Sequence, residues 1–178
     1  MQVVDKIISN FVNNKSLYIG EKVTMSEHMI QTAMLAEKTK CSDDLICSSL
    51  LHDYGHFILK NPDELVKLNV DGQHENIGHE YLKSFFKKEI IEPIKYHVLA
   101  KRYLANDKKY FVHLSEASKT SLKLQGGVLS DDECCKFENQ EYFEASILLR
   151  KFDEAAKKTN LKMKSIHDYK KLLSSKLI

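Results

Sequence analysis

The chain carries almost no net charge. Lys and Arg number 27 against 25 Asp and Glu, and the resulting +2 leaves no overall field for nucleic acid or an anionic bilayer. Any anion must therefore be read from local groups. No apolar run approaches the roughly 18 residues of a membrane span. The opening MQVVDKIISNFVNNK alternates apolar and polar residues at helical spacing, without the basic start and small-residue cleavage site of a secretion signal. The four cysteines, Cys41, Cys47, Cys134 and Cys135, form no CxxC or CxxH pattern, and the adjacent pair is badly placed for an ordinary disulfide. A soluble, reduced, cytoplasmic protein is expected, with no nucleic acid or membrane as partner.

Proline (2) and glycine (6) are also scarce, and no β-branched alternating run of useful length occurs, which excludes a sheet protein and suits helices joined by short loops. With 178 residues and 43% hydrophobic content, one core and one domain spanning 1–178 are expected. Helical stripes run through Val4, Ile7, Ile8, Phe11 and Val12, then through Met25, His28, Met29, Thr32, Ala33 and Ala36. Leu45, Ile46, Leu50 and Leu51 form a third stripe with Ser42 as N-cap, and Asn61-Pro62 marks a turn beyond it. A fourth helix is predicted over 74–86 with Ile77, Tyr81 and Phe85 inward, and a fifth with Pro93 in its first turn. Shorter pieces follow: a segment from Ser115, a break at Gly126-Gly127 and a capping box from Ser130 to Glu133. A helix over 141–157 precedes a basic tail. The fold class is all-α, a helical bundle with ligands supplied toward its centre from several helices.

Those ligands are His28, His52, Asp53, His74, His97 and Asp153. His52 and Asp53 follow directly on SSLL, so two groups that are costly to bury close a hydrophobic helix. His28, His74 and His97 sit on or beside apolar stripes. Four imidazoles and two carboxylates suit a pair of first-row transition metals, and an adjacent His-Asp doublet lets one carboxylate bridge them. His79, His113 and His167 lack ligand-spaced companions and read as structural or surface residues, and Lys157-Lys158 as a solvated face.

Around this set, His56 follows His52, Lys101 follows His97 and Arg150 precedes Asp153, each by about one helical turn. Three helices thus bring a donor or cation to one place, which favours a phosphonate or phosphate dianion. Arg150 can contact two oxygens and Lys101 acts as a point charge, although Arg150 could equally pair with Asp153 or Glu154. Tyr18 and Glu21 belong to a polar, Gly-containing segment that could cover the metals.

The segments YIGEKVTMSEH, LLHDYGH, GQHENIGHEYL, HVLAKRYL, LSEAS, LQGG and LLRKFDE, in that order, resemble the HD-domain superfamily. Within it they are similar to the oxygen-activating branch that cleaves organophosphonates, related to myo-inositol oxygenase. The resemblance implies a central dinuclear centre of two irons, a mixed-valent Fe(II)/Fe(III) pair with O2 as co-substrate. The implied ligands are His28, His52, Asp53, His74, His97 and Asp153, with Asp53 bridging. It implies phosphonate contacts by His56, Lys101, Ser118 and Arg150, Tyr18 at the open iron position before substrate binds, and Glu21 on a substrate ammonium. Gln125 matches the family pattern as a residue behind the site. The expected partner is a small-molecule organophosphonate: 2-amino-1-hydroxyethylphosphonate, cleaved to glycine and phosphate, or its trimethylammonium analogue. The alternatives are a divalent-metal phosphohydrolase of a nucleotide or phosphate monoester, using the same ligands to position hydroxide, and a module that senses a phosphorylated ligand without turnover.

Overall fold

The computed structural model describes residues 2–18, 21–59 and 72–178. Among these residues the elements are α-helices α1 (Val3–Asn13), α2 (Met25–Lys38), α3 (Asp43–Leu51), α4 (His74–Leu82), α5 (Lys88–Leu104), α6 (Lys108–His113), α7 (Glu116–Leu124), α8 (Asp131–Glu138), α9 (Phe143–Ala155) and α10 (Lys170–Ser175). Two 3-10 turns, Tyr54–Phe57 and Ile166–Tyr169, complete them. Extended pairing among the described residues is limited to two isolated bridges, Leu17 with Thr24 and Phe86 with Leu177.

Helix starts follow side-chain chemistry. Thr24 and Glu27 form a capping box at the head of α2, Ser42 accepts the Leu45 N–H at the head of α3, and Ser130 with Glu133 repeats the box at α8. The break after α7 is made at Gly126 and Gly127, whose φ values of +96° and +73° are open to glycine at little cost.

Four helices form a closed ring of contacts: α2 packs on α3, α3 on α5, α5 on α9 and α9 back on α2. Their inner faces bury Met29, Leu50, Leu51, Ile90, Ile94 and Leu149 completely, each burial stabilising the fold by roughly 1.5–3 kcal/mol. On the first helix Val4, Ile7, Ile8 and Phe11 are buried as the stripe predicts, but Val12 is exposed because it lies off the face that meets the core.

Three elements differ from the sequence pattern. Helix α5 begins five residues before Pro93, since burial of Ile90 and Ile91 carries the helix through the proline. Helix α4 ends at Leu82, and its buried face is His74, Glu75, Gly78, His79 and Leu82, whereas Ile77, Tyr81 and Phe85 are only partly covered. The rotation comes from a backbone contact between Gly78 and Gly55 of the first 3-10 turn. The basic tail is helical, and Ile166, Tyr169 and Leu173 enter the core beside α1. The Asn61-Pro62 turn lies outside the described residues.

Gly55 shows how closely the turn and α4 approach. A methyl group there would run into the His74 carbonyl oxygen and lie 2.7 Å from its carbonyl carbon and 2.9 Å from the Gly78 nitrogen. Gly55→Ala is expected to lower stability by about 1–3 kcal/mol or more, because backbone cannot yield as a flexible side chain does. A denaturant midpoint equal to wild type would show that the contact can relax.

Candidate metal centre

Each helix of the ring brings one or two polar groups to its interior. Helix α2 presents His28 in its second turn, α5 presents His97 and α9 presents Asp153 near its end. His52 and Asp53 stand where α3 terminates, and His74 opens α4. All six are buried.

They form two groups that share Asp53. Its Oδ2 lies 3.2 Å from His52 Nε2 and 3.5 Å from His28 Nε2, while its Oδ1 lies 3.2 Å from His74 Nε2 and 3.5 Å from His97 Nε2. Asp153 Oδ1 joins the first group, 3.2 Å from His28 Nε2. Ligand atoms of His28, His52 and Asp153 fall within 4.8 Å of one another, as do those of Asp53, His74 and His97.

The chemistry of these atoms fits metal ions. His28 Nδ1 faces the Ala156 carbonyl at 2.9 Å, His52 Nδ1 the Ser49 carbonyl at 2.9 Å and His97 Nδ1 the Ile94 carbonyl at 2.6 Å. A carbonyl only accepts, so Nδ1 carries the hydrogen and Nε2 presents its lone pair to the centre. Yet His28 Nε2 and His52 Nε2 are 3.2 Å apart, and His74 Nε2 and His97 Nε2 are 3.1 Å apart. Lone pairs so placed are compatible when a cation lies between them. Asp53 Oδ2 and Asp153 Oδ1 are buried and lack hydrogen-bond partners among the described residues.

Electrostatics point the same way. Burial opposes charge on both carboxyls, but the surrounding imidazoles hold Asp53 well below the usual carboxylate range, and Arg150 with His28 does the same for Asp153. Burial also works against His52, yet Asp53 raises it to about 9. The cluster thus draws positive charge to its middle, which a proton or a metal ion can supply.

On the rim Lys101, Ser118 and Arg150 are equally buried, whereas Tyr18, Glu21 and His56 are partly exposed. Arg150, 2% exposed, donates to Asp153 and Glu154, to the Tyr110 hydroxyl at 3.0 Å and to Ser118 Oγ at 3.3 Å. Lys101, 5% exposed, donates to Ser121 Oγ at 2.9 Å, and burial reinforced by Arg150 lowers its pKa to about 7. The His56 ring stacks on His74 at 4.2 Å, and burial pushes it down to about 3, so it is a neutral imidazole. Tyr18 stacks on His28 at 4.0 Å and an interplanar angle of 10°. Glu21 Oε1 faces Lys157 Nζ at 3.5 Å.

The structure therefore gathers the six candidate ligands, with Tyr18, His56, Ser118 and Arg150 each touching a ligand or another rim residue. Gln125 lines a cavity of about 210 Å³ with Glu75, Tyr96 and Arg102, and Glu75 Oε2 lies 3.6 Å from His74 Nδ1. His79 pairs with Glu92 at 3.1 Å, and His113 and His167 are exposed, in keeping with structural or surface roles.

Lys157 departs from its sequence reading, while Glu154 meets Arg150 as the spacing allowed. Lys157 is not on a solvated face: its side chain is 10% exposed and its ammonium donates at 3.0 Å to each of Ser115 Oγ, Ser118 Oγ and Glu154 Oε1. Glu154 accepts from Arg150, from Ser118 Oγ at 2.8 Å and from the Ser115 N–H at 3.0 Å. The spacing of Glu154 from Arg150 carried a signal, since residues four apart share a helix face, whereas Lys157 lies beyond the end of α9 at Ala155 and carried none. Tyr110 and Ser121 carried none, because they arrive from other helices.

A family model for the HD domain matches residues 25–131, a span containing five of the six candidate ligands, Asp153 being the exception. The chain is 41% identical over 154 residues to the hydroxymethylphosphonate dioxygenase of Gimesia maris, covering 85% of this chain and 77% of that one. It is 43% identical over 145 residues to the glycine-betaine-forming [1-hydroxy-2-(trimethylamino)ethyl]phosphonate dioxygenase of Leisingera caerulea, covering 81% of this chain and 74% of that one. The chain belongs to the HD-domain family, in the group that contains these phosphonate dioxygenases.

Proposed function

We propose that the protein is an iron-dependent oxygenase that breaks the carbon–phosphorus bond of a 1-hydroxyphosphonate, releasing phosphate and a carboxylic acid. The observation that carries this reading is the single carboxylate of Asp53 facing two groups of imidazoles, one through each oxygen. Both named relatives take phosphonates with a hydroxyl on the carbon bonded to phosphorus. The substrate assigned here is 2-amino-1-hydroxyethylphosphonate or its trimethylammonium analogue.

His28, His52, Asp153 and Asp53 would hold one iron, and His74, His97 and Asp53 the other. The second set offers three protein donors against four, so substrate oxygens have more room on the His97 side. A mixed-valent iron pair would supply the one-electron chemistry that lets dioxygen react with a closed-shell molecule. The net change balances: one 2-amino-1-hydroxyethylphosphonate plus one O2 gives one glycine plus one phosphate. The C1–H and C1–P bonds break, C1 rises to the carboxyl level, and O2 accepts the electrons.

The protein's part is binding, orientation and exclusion of water. Arg150 and Lys101 neutralise the phosphonate, with the Ser118 hydroxyl and neutral His56 as hydrogen-bonding groups. Glu21 meets a cationic tail, and Tyr18 covers the His28 side until substrate binding on the His97 side moves it away. Burial of these groups strengthens each charge-assisted contact.

Lys101→Ala is expected to weaken anaerobic phosphonate binding by roughly 1.5–3 kcal/mol. Unchanged affinity would remove Lys101 from the site. The reaction class is tested by incubating iron-loaded protein with 2-amino-1-hydroxyethylphosphonate, with and without oxygen. Phosphate and glycine should form only with oxygen. Phosphate release that persists under anaerobic conditions would mean hydrolytic cleavage of the carbon–phosphorus bond and would overturn the oxygenase reading.

A further inference from the structure

Lys157 connects the parts of the rim that arrive from different directions. Its ammonium touches Ser115 and Ser118 at the head of α7 and Glu154 at the end of α9, and faces Glu21 at 3.5 Å. It also lies 5.9 Å above the centre of the Tyr18 ring, within reach of a weak cation–π attraction. Glu21 is unusual beside this network. Its side chain is 16% exposed, and Oε1 is buried and accepts no hydrogen bond among the described residues although Lys157 stands at ion-pair distance.

Charge counting gives this arrangement a consequence. Glu154 is already shared by Arg150, Lys157 and two groups of α7, so loss of Lys157 would leave it paired. Glu21 has Lys157 as its cation, held without the alignment of a hydrogen bond. A substrate ammonium brought to Glu21 meets this resident ammonium. A substrate with no cationic tail leaves the pair undisturbed.

We propose that Lys157 is a specificity-determining residue: by pairing with Glu21 it disfavours cationic substrate tails relative to uncharged ones. This rests on the hydroxyphosphonate reading above and assigns the rim residue that sets which members of that class are preferred. Lys157 acts on the tail through Glu21, whereas its contacts to Ser115, Ser118 and Glu154 affect every phosphonate alike.

The test is anaerobic calorimetry of iron-loaded protein with two probes, 2-amino-1-hydroxyethylphosphonate and hydroxymethylphosphonate. Any general effect on phosphonate affinity cancels in the ratio of their dissociation constants. Lys157→Met should shift that ratio toward the ammonium compound by about tenfold or more, and Lys157→Arg, which keeps the charge, should leave it near wild type. Glu21→Gln should shift it the other way, and the double variant should match Glu21→Gln alone within about twofold, because the lysine acts through the carboxylate. A ratio unchanged in Lys157→Met, with both probes binding, would overturn the role of Lys157 and leave the oxygenase reading intact. Failure of both probes to bind wild-type protein would overturn the substrate reading and this proposal together.

Discussion

Asp53→Ala is expected to strip at least one metal ion and abolish turnover. Each Asp53 oxygen faces a different pair of imidazoles, so truncation takes one donor from both groups at once. What remains is His28, His52 and Asp153 on one side and two imidazoles, His74 and His97, on the other. Two imidazoles hold a hard, first-row ion weakly without a carboxylate to balance its charge. Asp53→Asn would keep the size and lose the charge, and should also lose metal. Metal analysis of purified variants provides the check, and full occupancy of both positions in Asp53→Ala would refute the bridging role.

Arg150→Ala should cause the second large effect, on stability as well as binding. Its guanidinium is the shared counter-charge of Asp153 and Glu154, two carboxylates inside the bundle, and it also donates to Ser118 and Tyr110. Its loss leaves Asp153 without its guanidinium while Glu154 keeps Lys157 at 3.0 Å, and one uncompensated buried charge costs about 3–5 kcal/mol. Arg150→Lys keeps the charge but loses the planar fork, and should retain more stability while binding phosphonate less well. Denaturant unfolding of both variants separates these terms. Wild-type stability in Arg150→Ala would mean that Asp153 is satisfied without Arg150 and that Lys157, Ser115 and Ser118 suffice for Glu154.

Much of this architecture was legible before the structure. The stripe Met25, His28, Met29, Thr32, Ala33 and Ala36 is buried throughout, because a long amphipathic helix writes its inward face into the sequence at a fixed period. Ser42 and Ser130 cap their helices as their local chemistry requires. Where ring helices meet, the residues that periodicity turned inward, including His28 and His97, are those found at the centre.

What was hidden depends on contacts between distant segments. The face of α4 is set by Gly78 meeting Gly55, which no pattern within α4 encodes. Pro93 sits inside α5 because core burial of Ile90, Ile91 and Ile94 outweighs one lost backbone hydrogen bond. Lys157 reads as solvent-facing beside Lys158, yet Glu21, Ser115 and Ser118 close around it from other parts of the chain. The tail from Ile166 to Leu173 is core at three positions, its stripe masked by the lysines between them.

The most direct measurement is electron paramagnetic resonance of the iron-loaded protein, with iron counted on the same sample. The account predicts two irons per chain and the half-integer-spin signal of a coupled Fe(II)/Fe(III) pair, since Asp53 would connect them through a single carboxylate. One iron per chain, or the signal of magnetically isolated ions, would contradict it.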